Sequence, residues 1–494
     1  MKSLMNNTLS SGPSLNLEQL DHYIGTAMDQ WKVPGLSLAI VKDGQTVVSK
    51  GYGIREVGKD IPVGEHTLFP VTAATRLMTA SALALLVDEG RLSWDDRLVD
   101  LLPGFSTGSE LVNQHATLTD ALASRIGLDF LGELVACGSR PGLSRRDLLD
   151  SLQGISQPKC FRNRRGESYL LPLAAGEVIP AITGISWDDF VQARLFDPLG
   201  MTDSITSPAL LQGRDNVATP HGEVAGERVV VEHAMTHNVG PALSVYSSAA
   251  DMAKWLQCQL DNGKVGEQVL IPSAQIDAIR KVCMGGPIGL PGYVPDLMGC
   301  GLGVWEFTHR SSGCRVYGLG GDTEGFEAFY VFIPELNLGI AAMVNAYHSI
   351  PQRLIPWIID RYTGAPETDW MATLSDLEER VFTGPRLQLN RLREQLTKPS
   401  CPPGLPLDAY TGVYQHPFIG ELTIRQTGET LAYTLGEIYQ GALPHANHNT
   451  FFREPVGSIY NQCLFRGPLR FNLSVEGNVE SLTIDDRVFQ KCQA

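Results

Sequence analysis

An apolar segment that directly follows a short strand-like stretch restricts the fold of this chain more than any other feature. Phe69 and Pro70 read as the end of a strand, and the residues from Leu77 to Gly90 carry apolar side chains at helical spacing. Asp88-Glu89-Gly90-Arg91-Leu92 closes this pattern. The sequence therefore predicts a strand that runs almost directly into a long helix.

The first turn of that helix carries Ala73 and Arg76, which lie three residues apart and share a helix face. A hydroxyl and an amine in this arrangement would form a nucleophile and its base. Alanine offers no nucleophile, and arginine keeps its proton at any working pH. Acyl-enzyme chemistry at Ala73 is therefore close to excluded.

The segment resembles the serine β-lactamase and penicillin-binding-protein-like superfamily, especially its class C and esterase/transesterase branch. In that superfamily a Ser-x-x-Lys pair opens the same kind of helix. Further similar passages extend the resemblance over roughly 15–363: Ala116 to Leu128, read as a helix, Asp197-Pro198-Leu199-Gly200-Met201, and Pro241 to Asp251 leading into a helix to Leu260. The resemblance implies an α/β fold, in which helices flank an antiparallel sheet beside an all-helical lobe.

The N-terminal region fits this fold on its own residues. Leu15 to Trp31 has helical periodicity, and Leu36 to Val41 alternates as a strand. Asp43-Gly44 is a hairpin signal, and Thr46 to Gly51 reads as the returning strand. A helix followed by an antiparallel hairpin predicts a sandwich whose N-terminal helix covers the sheet.

The chain divides into four predicted parts. Residues 1–14 form a polar tail, 15–385 the β-lactamase-like domain, 386–406 a linker that ends in a Pro-rich break, and 407–494 a small C-terminal antiparallel β-barrel-like domain. Turn residues separate short strand-like runs in this last part: Gly412 to Tyr414, Gly420 to Arg425, Leu431 to Leu435, Thr450 to Phe452, Leu469 to Val475, and Ser481 to Ile484.

The two other motifs of the superfamily are also substituted. Its Tyr-x-Asn triplet corresponds to Glu167-Ser168-Tyr169, so glutamate stands in the tyrosine position, although a two-residue shift of register would place Tyr169 there. Its Lys-Thr-Gly or His-x-Gly strand corresponds to Leu319-Gly320-Gly321, with Leu319 in the polar position. All three motifs thus lack their expected side chains, although the surrounding framework is intact. This combination predicts that the pocket has acquired a different function.

The resemblance implies that the backbone amides of Ala73 and Asp322 take the oxyanion-hole positions, which need no side chain. We expect four residues to be catalytic: Arg76, Glu167, Tyr169 and Asp322. We expect five to form the substrate pocket and its backbone: Thr72, Ala73, Leu319, Gly321 and Glu324. A structural role stays open for three of these residues, with Arg76 as a buried ion-pair partner, Tyr169 as a packed aromatic and Asp322 as a turn residue.

The charge and composition of the chain limit the classes of molecule that it is expected to bind. The net charge of -15 and the lack of Lys/Arg clusters argue against nucleic acid or an anionic membrane surface. We find no phosphate loop, dinucleotide fingerprint or Cys-x-x-Cys pair, so we expect no cofactor and no metal. A polar N-terminus and nine scattered cysteines favour a cytoplasmic location.

Three functions remain open. The first is a cofactor-free tailoring enzyme of secondary metabolism that cyclises or isomerises a mainly apolar, carbonyl-bearing small molecule by acid-base action. The second is a ligand- or partner-binding protein without activity. The third is an esterase, amidase or acyltransferase whose nucleophile is a substitute such as Thr72 or Thr75.

Overall fold

A computed structural model gives the fold of the chain. It describes residues 14–128, 142–154, 161–224, 227–286, 293–366, 368–373, 391, 394, 401–436, 439–456, 467–485 and 487–492. The predicted N-terminal tail, except for residue 14, and most of the predicted linker lie outside these residues.

An eight-stranded antiparallel sheet forms the centre of the larger part of the molecule, with the strand order β2-β1-β14-β13-β12-β11-β10-β9. The predicted turn between the first two strands is confirmed, since Asp43 and Gly44 have φ values of 51° and 78°. The first fourteen strands are β1 Gly35–Lys42, β2 Gln45–Gly53, β3 Phe69–Pro70, β4 His221–Val224, β5 Glu227–Val230, β6 Tyr246–Ser247, β7 Lys264–Val265, β8 Gln268–Val269, β9 Met284–Gly285, β10 Tyr293–Cys300, β11 Trp305–His309, β12 Arg315–Thr323, β13 Phe326–Ile333 and β14 Leu338–Val344.

Helices cover both faces of the sheet, because its central strands are apolar on both sides. In β14 the side chains of Ile340 and Ala342 pack with one helical layer, and those of Ala341 and Met343 pack with the other. The helices are α1 Leu17–Gln30, α2 Thr75–Asp88, α3 Leu98–Leu101, α4 Glu110–His115, α5 Leu118–Leu122, α6 Arg145–Ser151, α7 Leu170–Thr183, α8 Trp187–Val191, α9 Asp197–Leu199, α10 Gly240–Leu243, α11 Ala249–Leu260, α12 Ser273–Arg280 and α13 Ile350–Thr363.

The two layers differ in composition. Helices α1 and α13 cover the first face, as predicted for the N-terminal helix, and α2 and α11 cover the second. The second layer continues into the helical lobe formed by α3 to α9. Helix α2 is buried almost all round, from Thr75 to Leu86, which agrees with its near-uniform apolar sequence.

The helix predicted from Ala116 to Leu128 is much shorter in the structure. A capping box between Thr117 and Asp120 begins α5, as its sequence favours. The helix ends at Leu122, and Ser124 and Gly127 then take φ values of 56° and 75°. These left-handed residues turn the chain, so the apolar periodicity beyond Leu122 is not helical.

The C-terminal residues form a separate ten-stranded antiparallel sheet that curves into a barrel-like unit, with the order β19-β20-β22-β23-β24-β15-β16-β17-β18-β21. Its interior is aromatic, with Tyr410, Tyr414, Phe451 and Phe471 buried together. The predicted fold class is therefore confirmed. The strands are β15 Gly412–His416, β16 Gly420–Thr427, β17 Thr430–Leu435, β18 Tyr439–Leu443, β19 His445–Asn447, β20 Thr450–Phe451, β21 Glu454–Val456, β22 Leu469–Leu473, β23 Val479–Ile484 and β24 Arg487–Lys491.

No single helix within the described residues has both the length and the apolar composition needed to cross a bilayer. Only the bent pair Leu170–Thr183 and Trp187–Leu199, which meets at 84°, reaches that length and composition jointly.

Candidate functional site

A strained turn joins β3 to α2 and carries Ala73. Residues Thr72–Ala74 form one turn of 3-10 helix, and Thr72 takes a φ of 52°. Such a backbone is unusual for a β-branched residue and costs on the order of 1–3 kcal/mol. The turn is held from outside, since the Val71 amide donates to the Val245 carbonyl at 2.9 Å. The fold thus keeps a costly conformation at the entrance to α2.

The end of strand β12 lies against this turn. Strand β11 pairs with β12 only from Arg315 to Gly318, and the remainder of that edge faces the turn at Ala73. A Cβ atom added to Gly321 would sit 3.1 Å from the Ala73 Cβ and 3.3 Å from the Ala73 amide nitrogen. Glycine at 321 therefore lets the strand backbone approach the turn closely.

A cavity of about 370 Å³ opens beside these two backbones. Its wall combines apolar and aromatic side chains with charged groups, a composition that is typical of small-molecule sites. The lining residues are Ala73, Arg76, Arg165, Glu167, Tyr169, Leu243, Trp305, Leu319, Gly320, Gly321, Asp322, Glu327, Phe329 and Gln352.

Glu167 lies between two arginines on the helical side of the cavity. Arg76 Nη1 donates to Glu167 Oε2 at 2.8 Å, and Arg165 Nη1 donates to Glu167 Oε1. The Arg76 side chain is only 5% exposed and that of Glu167 is 23% exposed. The two guanidinium groups also contact rings, Arg76 at 5.7 Å from the centroid of Tyr169 and Arg165 at 4.9 Å from that of Trp305.

These contacts decide the protonation of Glu167. Burial would raise the pKa of its carboxyl group, but the charges and hydrogen bonds of Arg76 and Arg165 outweigh that effect and hold the pKa below its usual range. Glu167 is therefore a carboxylate at neutral pH. It can accept a proton or hold a cation, and it has no proton to donate.

The structure brings together seven of the nine residues that the sequence predicted for the site. Both Glu167 and Tyr169 line the cavity, so the two possible registers of the second motif lead to the same wall. Their neighbours there include five more predicted residues: Ala73, Arg76, Leu319, Gly321 and Asp322.

Two predicted pocket residues do not line the cavity. Thr72 is fully buried, and its Oγ1 lies 3.1 Å from the position of a Cβ on Gly321. Glu324 lies beyond the end of β12, in the turn before β13, and is 9% exposed. The structure therefore does not bring these two predicted residues to the cavity wall.

The predicted substitute nucleophiles are also badly placed. The Thr75 Oγ1 accepts a hydrogen bond from the Val245 amide at 3.2 Å, and the side chain is fully buried in the first turn of α2. Neither Thr72 nor Thr75 belongs to the cavity wall. A hydroxyl that cannot reach the cavity cannot attack a substrate held there.

Sequence reasoning missed seven lining residues. Arg165 stands two positions before Glu167, and its proximity to a predicted site was the available signal. Glu327 pairs directly with Asp322 across β12 and β13, which only the sheet register reveals. The complete set that was missed is Arg165, Leu243, Gly320, Trp305, Glu327, Phe329 and Gln352.

Within the part of the chain that the structure describes, no group of three or more His, Cys, Asp or Glu side chains is placed to hold a metal ion. His445 and His448 stand three positions apart in the C-terminal sheet and make a local contact, in which the His445 Nε2 lies 2.9 Å from the His448 carbonyl oxygen.

Solved structures share this fold. The octameric penicillin-binding protein homologue from Pyrococcus abyssi is similar over 97% of this chain and 100% of its own, with a TM-score of 0.63 and 18% identity. A D-stereospecific amidohydrolase from Streptomyces sp. is similar over 69% of this chain and 97% of its own, with a TM-score of 0.55 and 19% identity.

Sequence comparison identifies relatives over most of the chain. An unguisins hydrolase from Aspergillus campestris is 27% identical over 443 residues, which is 85% of this chain and 80% of that protein. Penicillin-binding protein 4 from Amycolatopsis lactamdurans is 26% identical over 319 residues, 63% of this chain and 81% of its own. A domain of unknown function, DUF3471, matches residues 396–493, and the Beta-lactamase family model matches residues 20–365. The chain therefore belongs to the β-lactamase family.

Proposed function

We propose that this chain is a cofactor-free enzyme that cyclises or isomerises a carbonyl-bearing small molecule without a covalent intermediate, as a tailoring step in secondary metabolism. One observation carries the proposal: Ala73, which the resemblance places at the position of the nucleophile, lies on the wall of a cavity that holds an ionised carboxylate. The cavity has the groups for proton transfer and lacks a side chain for acyl transfer at residue 73.

The backbone supports the placement of the carbonyl. The Ala73 amide and the amide of Asp322 belong to two segments that meet at Gly321 beside the cavity. Two convergent N–H donors would stabilise negative charge on a carbonyl oxygen, a contribution that in other enzymes reaches about 2.7–4 kcal/mol per donor. This stabilisation makes a proton next to the carbonyl more acidic.

The roles of the side chains follow from their charge. Glu167 accepts the proton, because it is ionised and lies on the same wall. Its lowered pKa makes it a weaker base than an enzyme needs for an unactivated carbon acid, so the polarised carbonyl has to supply the remaining driving force. Tyr169 lies next to it and would return a proton to the new position. Arg76 and Arg165 keep Glu167 charged in the resting enzyme.

A second candidate is hydrolysis by a water molecule that attacks the substrate directly. The names of the relatives favour it, since an unguisins hydrolase and an amidohydrolase share the family or the fold. In this case Glu167 would take a proton from water, and no protein adduct would form. The third possibility, a binding protein without activity, has the same cavity but yields no product.

Isotope labelling separates the three. The purified protein is incubated with a small-molecule extract in D₂O and, separately, in H₂¹⁸O, and the products are compared by mass spectrometry with those from Glu167→Gln. Cyclisation or isomerisation predicts a product that gains deuterium and no ¹⁸O. A product that gains ¹⁸O supports hydrolysis, and an extract that neither protein changes refutes an enzymatic role.

The absence of a covalent step is tested in parallel. Wild-type protein treated with a fluorophosphonate or an activated ester should keep its unmodified intact mass. A stoichiometric adduct on any serine, threonine or tyrosine of the chain would contradict the proposed mechanism.

A further inference from the structure

Helix α2 begins at the wall of the cavity. Its N-cap residue is Ala74, whose methyl group accepts no hydrogen bond, and its first turn, Thr75-Arg76-Leu77, contains no acidic side chain. Ala73, directly before the N-cap residue, lines the cavity. The N-terminal end of a helix carries a partial positive charge, which favours an anion nearby. This end of α2 is therefore suited to a negative group in the cavity.

A buried arginine in the same turn adds a full positive charge. The Arg76 side chain is 5% exposed and lines the cavity. A guanidinium group has five N–H donors. Within the described residues, Arg76 donates one hydrogen bond, from Nη1 to Glu167, and its Nε is buried without an acceptor. Unused donors on a buried charge cost free energy, and an acceptor on a bound molecule would recover part of that cost.

The ion pairs around Arg76 leave one positive charge in excess. Glu167 accepts from Arg76 through Oε2 and from Arg165 through Oε1, so two guanidinium groups share one carboxylate. A second group with a single negative charge would balance them. A carboxylate supplies that charge, and its two oxygens match the planar fork of a guanidinium group. A phosphate dianion would exceed the excess.

The other acidic residues of the cavity belong to the strands. Asp322 lies on β12 and Glu327 on β13, and each has interactions of its own. Arg76 lies on α2 and Arg165 shortly before α7, so the two arginines form the helical side of the cavity. An anionic group is therefore expected on the helical side, close to Ala73.

We infer that the substrate is an oxo acid or a related carbonyl compound with a carboxylate, which binds Arg76 at the start of α2 while the carbonyl lies at Ala73. The position of the carbonyl rests on the proposed function. The carboxylate is an additional requirement, because the proposed reaction needs only a carbonyl group and an acidic proton beside it.

A bound carboxylate would also activate Glu167. It takes a share of the Arg76 charge and places a like charge beside Glu167, and both effects raise the pKa of the Glu167 carboxyl group from its lowered value. Glu167 would thus become a stronger base when the substrate is present. In the resting enzyme the same residue stays ion-paired and weakly basic.

Two matched probes test the carboxylate site by isothermal titration calorimetry at neutral pH: 3-phenylpropionate and 3-phenylpropionamide, which differ in the charge of one group. The wild-type protein should bind 3-phenylpropionate at least about tenfold more tightly, as expected for a hydrogen bond between charged groups. Arg76→Met should reduce that preference to less than about threefold, while the affinity for 3-phenylpropionamide stays unchanged. The unchanged neutral probe shows that the cavity of the variant is intact.

Glu167→Gln should act in the opposite direction. It removes the counter-charge of both guanidinium groups, so 3-phenylpropionate should bind at least about threefold more tightly than to the wild type. A gain in affinity cannot come from a misfolded cavity, so this variant tests the site even if Arg76→Met is unstable. Arg97→Met is the control, because Arg97 is 51% exposed and pairs with Asp100 on the surface. It should keep the wild-type preference.

Equal binding of the two probes by the wild type, binding of neither, a preference that survives Arg76→Met, or unchanged or weaker carboxylate binding by Glu167→Gln would overturn the inference. The readout needs no turnover. A carboxylate preference without any isotope incorporation would therefore reject the proposed reaction and leave the carboxylate site standing. Isotope incorporation without a carboxylate preference would do the reverse.

Discussion

Arg76 and Glu167 stand 91 positions apart in the sequence and meet in a 2.8 Å hydrogen bond on the cavity wall. The resemblance implies that these two positions correspond to a lysine and, by the ungapped register, a tyrosine. In this chain they form an ion pair, and Arg165 adds a second positive partner to the same carboxylate. The bond is consistent with both roles that the sequence left open for Arg76, a structural one and a functional one.

A double-mutant cycle measures the structural part of this pair. Glu167→Gln leaves two close guanidinium groups without their counter-charge, and we expect it to lower the free energy of unfolding by about 1–3 kcal/mol. The value is below that of a fully buried pair because the Glu167 side chain is 23% exposed. Arg76→Met should cost less, because Arg165 still pairs with Glu167. Urea unfolding of both single variants and the double variant should give a double-mutant cost below the sum, and strict additivity would contradict the coupling.

The same pair predicts how stability depends on pH. The folded-state pKa of Glu167 lies below its ordinary value of 4.5, because the two arginines outweigh the effect of burial. The stabilisation from this group is therefore complete above that ordinary value and is lost as the pH falls through the lower folded-state pKa. The difference in unfolding free energy between the wild type and Glu167→Gln should be constant from about pH 6 to 8 and should shrink below about pH 4.5. A difference that grows on acidification would show that the carboxyl group is protonated in the folded protein.

Introducing a serine at residue 73 and a lysine at residue 76 tests whether residue 73 faces the cavity. Ala73→Ser combined with Arg76→Lys places a hydroxyl in the 3-10 turn Thr72–Ala74 and an amine in the first turn of α2. We expect slow acylation by an activated ester, visible as a mass increase of the intact protein. The control is Ala74→Ser with Arg76→Lys, since Ala74 is buried and does not line the cavity. Equal labelling of the two variants, or inertness of the first in a folded state, would contradict the assignment of Ala73.

The parts of the fold with strong local signals could be predicted from the sequence. The Asp43-Gly44 hairpin and the end of α11 at Asn262-Gly263 depend on neighbours in the chain, and their positive φ values confirm the reading. The helix expected up to Leu128 was wrong, because the residues after Leu122 carry apolar periodicity but the chain turns there. Ser124 gave no local signal for its left-handed conformation, and its carbonyl accepts a hydrogen bond from the distant Gly166 amide at 2.9 Å.

The site was predictable only where a motif marked it. Ala73, Arg76 and Glu167 sit in recognisable positions, whereas Glu327 and Gln352 enter through the register of two strands and the packing of a distant helix. Contacts between residues that are distant in the chain do not produce a periodic pattern of apolar residues, so the sequence alone does not reveal them. Thr72 is the reverse case, because it is adjacent to the motif in the sequence and yet does not line the cavity.

Paired glycine substitutions test the strain at the turn. Thr72 holds a φ of 52° and its buried Oγ1 has no hydrogen-bond partner, so Thr72→Gly relieves backbone strain and loses no hydrogen bond. Thr75 is helical, and its Oγ1 accepts from the Val245 amide, so Thr75→Gly loses both helix propensity and that bond. Thr72→Gly should therefore leave the protein more stable than Thr75→Gly by at least about 1 kcal/mol in urea unfolding. If the two substitutions cost the same, the strain assigned to the turn is not present in the folded protein.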